Sequence, residues 1–140
     1  MRSPLLKGSR FGSRRGNAMV EFALVYNQLQ MAVRSGTRYG SLRDYQSDGA
    51  SCVSSVEDSV KNVVVYGSPN PAAGSIPIVR GLSTSNVDVD FAPDAKGVPT
   101  IVTVSVSSFT VDGLFAKFTF QGKPWAQVPY GGRYAPNECP

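Results

Sequence analysis

Glu21 is the residue best placed to do chemistry. It is flanked by Met19, Val20, Phe22, Ala23 and Leu24, and an unpaired carboxylate among apolar side chains is costly to bury. It therefore needs a partner for its charge, unless the segment is an amphipathic helix whose Glu21 simply faces water. Gly16 stands five residues earlier, directly after Arg14 and Arg15, and Asn17 follows it. A basic patch, a glycine and an apolar helix start broken by one carboxylate together have the form of a processing and assembly signal.

The remaining chemistry-bearing residues point away from catalysis. The chain has no histidine, which removes the commonest general base and metal ligand. Cys52 has no evident partner base, the serines lie in no GxSxG setting, and no glycine-rich phosphate loop runs into Lys-Ser or Lys-Thr. Asp88 and Asp90 share one side of an alternating segment and, with Asp94, form a conceivable calcium site, but solvated strand carboxylates are the ordinary reading. We therefore expect a non-enzyme with no cofactor and no metal. Cys52 and Cys139 lack metal-site spacing. A disulfide between them in an oxidising compartment is the expectation, and two reduced, buried thiols are the alternative.

Charge is unevenly placed. Five of the fourteen basic residues, Arg2, Lys7, Arg10, Arg14 and Arg15, precede Gly16 with no acidic residue among them, leaving nine against ten acidic residues in the rest. The basic patch thus belongs to residues 1–16, and a basic segment ahead of an apolar one holds an N-terminus on the cytoplasmic side. The body offers no basic stripe beside its aromatics, so nucleic acid is not an expected partner. With 140 residues, 41% apolar and 17% charged, the chain is long enough for one domain with a real core.

The elements that must position Glu21 are legible in outline. Residues 1–16, rich in Ser, Gly and Arg, read as an unstructured leader. From Asn17, a candidate cap, to about Tyr39 there is no proline, which predicts a helix of about six turns ending near Gly40. Val53, Val56, Val60, Val63 and Val64 recur at helical spacing behind a Ser54/Glu57 capping-box pattern, predicting a shorter helix to Tyr66, stopped by Gly67-Ser68-Pro69-Asn70-Pro71. Alternation at Val87, Val89 and Phe91, and at Val102, Val104 and Val106, predicts two strands of an antiparallel hairpin. Leu114 to Phe120 offers a third strand, and Ile76 to Val79 a short edge strand. Gly122 to Pro136, rich in proline and glycine, reads as an extended strap. The fold class is α+β: a 1–16 leader, a 17–40 helix and a 41–140 globular part with a small antiparallel sheet.

Two segments carry a family resemblance. The segment from Arg14 to Leu24, of the form RRGxAxVEFAL, resembles the type IV prepilin signal and looks like the TadE/TadG pseudopilin-like family of Flp (Tad) pilus assembly. Met31 to Gly40 resembles the same family's AVRSGARYG signature, and the GKPW and GRYAP-like tail adds to it. The resemblance implies a pilin-like fold, cleavage after Gly16 by a prepilin peptidase, and Asn17 as the new N-terminus. It also implies that Glu21, with Phe22 beside it, is the assembly position that pairs with a neighbouring subunit's amine. The implied partners are other pilins and pseudopilins of a Tad-type apparatus. The implied location is the inner membrane with a periplasmic globular domain, or a secreted or pilus-associated form.

The chain departs from that family in one respect. Its apolar run covers only Ala18 to Tyr26 before Asn27, Gln28 and Gln30 intervene, whereas a bilayer span needs about 20 apolar residues. The spanning residues expected between Val25 and Tyr26 are missing. Arg34, Arg38 and Tyr39 are either interaction residues or a solvated face. Trp125, Tyr130, Arg133 and Tyr134 either form a recognition surface or anchor the strap to the core. The competing function is a secreted or surface-exposed β-rich binding module with no pilus role.

Overall fold

In a computed structural model the backbone is described for residues 11–45 and 50–134, and side chains for 15–45 and 55–134. Helix α1 spans Phe11–Ser41 and α2 spans Ala50–Tyr66. After a single 3-10 turn at Thr84–Asn86, the strands are β1 (Val87–Pro93), β2 (Pro99–Val106), β3 (Phe109–Asp112), β4 (Lys117–Phe120) and β5 (Trp125–Pro129). β1, β2 and β5 make an antiparallel sheet in the order β1-β2-β5, while β3 and β4 pair as a separate hairpin. The α+β class is as expected.

The core lies between the helices and one face of the sheet. Leu29, Ala32 and Val33 of α1 and Val60, Val64 and Val65 of α2 meet Val87, Phe91, Val102, Val104 and Val106. The intervening strand residues Asp88 and Asp90 are exposed, which is the period-two pattern of a sheet covered on one side. Asp94 is used locally: its Oδ1 accepts the N–H groups of Lys96 at 2.8 Å and Val98 at 3.0 Å, closing the β1–β2 turn. Gly97, at φ +80°, completes that turn.

The helices approach closely because α1 has no side chain where they cross. A Cβ on Gly36 would run into Val64 Cγ2, and it would lie 3.4 Å from the Val60 carbonyl oxygen. A Cβ on Gly40 would sit 3.0 Å from Val60 Cγ2 and 3.4 Å from Val102 Cγ1. The helix ends one residue after Gly40, as expected, and Gly40 also serves close packing inside its last turn. Thr37, fully buried between them, satisfies its hydroxyl on the Val33 carbonyl at 2.7 Å.

Several element boundaries differ from expectation. α1 begins at Phe11, so Asn17 lies within the helix and does not cap it. No proline separates Phe11 from Asn17, and the roughly 1 kcal/mol cost of a helical glycine does not stop propagation. α2 begins at Ala50, four residues ahead of Ser54, so the Ser54/Glu57 pattern lies inside the helix and not at its start. Its end is as expected, with Gly67 at φ +74°.

Ile76 to Val79 forms no strand. Pro77 has no N–H to give a ladder, and the segment is held by a bond from Ile78 N–H to the Val65 carbonyl at 2.8 Å. The third expected strand shrinks to Lys117–Phe120, because Leu114 to Ala116 form the turn that returns from β3. Within the expected strap, Trp125–Pro129 is a regular strand on β2. The strap reading holds beyond it: Gly131 N–H bonds the Ser41 carbonyl at 2.9 Å, and Tyr45 N–H bonds the Arg133 carbonyl at 3.1 Å.

Candidate functional site

Glu21 finds its partner inside the chain. It projects from the N-terminal half of α1 to the tip of the β3–β4 hairpin, where Leu114 N–H donates to Oε1 at 2.7 Å and Phe115 N–H donates to Oε2 at 3.2 Å. The tip is shaped for this. Gly113 N–H bonds the Ala116 carbonyl at 2.9 Å, turning the next two N–H groups toward the helix. A Cβ on Gly113 would stand 2.6 Å from the carboxylate, so the glycine leaves the space that the carboxylate fills. Charge-assisted bonds of this kind are stronger than neutral ones.

Phe22 fixes the same junction through its ring. It stacks on Tyr26 at 5.8 Å and on Phe120 at 5.7 Å, and tilts against Phe118 at 5.4 Å, while Phe120 stacks on Phe109 at 6.2 Å. Phe22 and Tyr26 are four residues apart and so share a helix face. Glu21 and Phe22 thus form a polar clasp and an aromatic hinge that join α1 to the hairpin. Around them the surface is apolar: Met19 is 74% and Leu114 91% exposed, and Val20, Leu24 and Phe115 are also exposed. Asn17, Val20, Glu21, Leu24, Leu114 and Phe115 line a shallow hollow of about 430 Å³.

Gly16 and Asn17 are exposed on α1, one turn before Glu21, and a Cβ on Gly16 would meet nothing within 4 Å. α1 runs without interruption through Val25 and Tyr26, both of which pack against the core. Among the described residues no helix is long and apolar enough to cross a membrane.

The other expected interaction residues divide into two groups. Arg34, Arg38 and Trp125 come together along a groove of about 390 Å³ between α1 and β5. Tyr130 is instead an anchor, with edge contacts to Phe91 and Tyr45 at 6.4 Å and a hydroxyl donated to the carbonyls of Arg43 at 2.6 Å and Arg133 at 3.0 Å. Tyr134 bridges to Tyr45 in the same strap. Tyr39 carries the Arg43 guanidinium over its ring at 4.1 Å. Cys139 and the side chain of Cys52 lie outside the described residues, as does the pairing expected of them. Among the described residues no group of three or more acidic, cysteine or histidine side chains is placed to hold a metal ion.

Burial pushes the Tyr45 phenol above its ordinary range, with Glu57 and Asp90 adding to the shift. Burial also raises Tyr130, opposed by the Tyr45 backbone N–H and supported by Asp44. A folded state that holds the phenolic proton more tightly has its full contribution to stability below about pH 10, and loses it as pH rises through the raised value. The denaturant midpoint should therefore fall above about pH 10, and it should fall less steeply in Tyr130→Phe. Parallel curves for the two proteins would remove Tyr130 as a cause.

No family model, curated protein or solved structure matches this chain. Gly113 and the hairpin tip were not evident as Glu21's partner in the sequence, since they lie more than ninety residues away. The available signal is the Asp112-Gly113 dipeptide, a turn sequence that marks the hairpin but not its partner.

Proposed function

We propose that this chain is a TadE-like minor pseudopilin, a Flp (Tad) pilus-assembly component that acts by protein–protein contact and not as an enzyme. Gly16 is the scissile residue, Asn17 the new terminus and Glu21 the assembly carboxylate. The globular part works in the periplasm at the inner membrane, or on the pilus. The observation that carries the reading is Glu21 at the exposed apolar end of α1, held by two backbone N–H groups at a hairpin tip. Those donors occupy the carboxylate in the isolated subunit, and a neighbour's terminal amine is a stronger partner because it brings a full positive charge. Assembly then exchanges the clasp for an intersubunit ion pair, with Met19, Val20 and Leu24 as the apolar contact around it.

Glu21→Ala and Gly113→Ala separate the two uses of the carboxylate. Each should lower stability by about 1–2 kcal/mol through loss of the clasp, read as a shift in denaturant midpoint. In co-purification with the pilins of a Tad apparatus, Glu21→Ala should lower capture about tenfold or more, as expected for loss of a charge-assisted contact. Gly113→Ala keeps the carboxylate and should be captured at least as well as the wild type. Equal capture of wild type and Glu21→Ala would remove the assembly role and leave Glu21 as a structural clasp alone.

A further inference from the structure

Among the described residues no strand pairs with the outer edge of β5, which is a row of backbone groups. Val106 N–H donates to the Pro124 carbonyl at 3.1 Å, and Tyr130 N–H donates to the Thr100 carbonyl at 2.8 Å. Antiparallel pairing alternates along the register of β2 and β5. Ala126 and Val128 therefore spend their backbone groups on β2, while Trp125 and Gln127 turn N–H and C=O outward. Pro129, the next outward position, has no N–H to present.

α1 flanks this open edge with positive charge. Gln30, Arg34 and Arg38 follow one another at four-residue spacing and line the groove with Trp125 and Gln127. Both arginines are exposed, and among the described residues neither is ion-paired; the pair found there is Lys117 with Asp112 at 3.3 Å. Four helical residues rise about 6 Å, and two strand residues rise about 6.6 Å. Alternate side chains of an added strand thus fall at nearly the spacing of Arg34 and Arg38.

We propose that this groove receives an extended acidic segment of a partner protein, which adds to β5 as a further strand and sets alternate carboxylates against Arg34 and Arg38. Backbone pairing with Trp125 and Gln127 holds the segment, and the two arginines select its charge. A second copy pairing through β5 is disfavoured, because it would bring two pairs of arginines to one seam. Nucleic acid is disfavoured as well, since two cations beside a body carrying nine basic and ten acidic residues make no phosphate-tracking surface. The proposal uses neither Gly16 nor Glu21, so it stands or falls apart from the pilus reading.

Trp125 is the chain's single tryptophan and is 51% exposed, so its emission reports the groove directly. The full chain is titrated with a capped hexapeptide alternating threonine and glutamate, with its threonine–lysine counterpart, and with an acidic peptide N-methylated at alternate amides. A saturable change in Trp125 emission is expected for the acidic peptide alone. The double variant Arg34→Gln, Arg38→Gln should bind it about fivefold or more weakly. Its melting curve should be unchanged, because both side chains are exposed. No saturable response to the acidic peptide, equal binding of the lysine peptide, full retention by the N-methylated peptide, or undiminished affinity in the folded double variant would each overturn the proposal.

Discussion

Gly36→Val is expected to lower the stability of the fold by roughly 3–5 kcal/mol, out of the 5–15 kcal/mol typical of a domain. The reason is geometric. Even a single Cβ at this position runs into Val64 Cγ2 and presses on the Val60 carbonyl, and a valine adds two methyl groups to that contact. Val64 and Val60 are fully buried, so neither can move without displacing the core between α2 and the sheet. Relief requires α1 and α2 to separate, which opens the contact of Leu29 and Val33 with the strands as well. Thermal unfolding followed by circular dichroism should show a midpoint lower by about 10 °C or more. Gly16→Ala is the matched control, since a Cβ there meets nothing and a helical alanine in place of glycine is favourable by about 1 kcal/mol. Equal midpoints for Gly36→Val and the wild type would mean that the helices do not cross at Gly36.

Phe120→Ala should cost about 3–5 kcal/mol, as large-to-small changes at buried aromatic sites do. Phe120 is almost fully buried and contacts the rings of Phe22, Tyr26 and Phe109. It is therefore the more deeply buried of the two hairpin rings, Phe118 and Phe120, that fasten the hairpin to α1 through Phe22. Without it the hairpin keeps the partly buried Phe118 ring on Phe22 and the Glu21 bonds, and one such ring with two exposed hydrogen bonds holds a hairpin on a helix only weakly. Amide exchange at Leu114 and Phe115 should consequently lose protection in Phe120→Ala, although neither residue touches the altered side chain in the hydrogen-bond pattern. Protection retained at both amides would show that the Glu21 clasp and the contact of Phe118 with Phe22 hold the hairpin without Phe120.

What could be read from the sequence followed from periodicity and punctuation. The valines of α2, the alternation of β1 and β2, and Asp94 with Gly97 between them each place one element by local rules. The segments that escaped those rules depend on distant partners. Trp125–Pro129 carries prolines at and beside its ends, which argues locally against a strand. On an edge, however, Pro129 can lack its N–H at no cost, because that group would point away from β2. Phe11 to Gly16 lack helix-start signals, yet continue a helix that is already formed. Glu21 shows the same limit at the candidate site. Its need for a partner followed from its apolar neighbours, but the partner is a pair of backbone groups on a tip whose side chains, Leu114 and Phe115, say nothing about carboxylates.

The processing claim is tested most directly by co-expressing the full chain with a Tad-type prepilin peptidase and reading the N-terminal residue by intact mass and terminal sequencing. A product beginning at Asn17, lost in Gly16→Val but formed normally in Glu21→Ala, is the expected result. Since Gly16 is exposed and a Cβ there meets nothing within 4 Å among the described residues, a block in Gly16→Val would report recognition of the cut and not misfolding. A chain that keeps Met1 with the active peptidase present, or a Gly16→Val chain cut as readily as the wild type, would contradict the pseudopilin reading and favour a surface-exposed binding module.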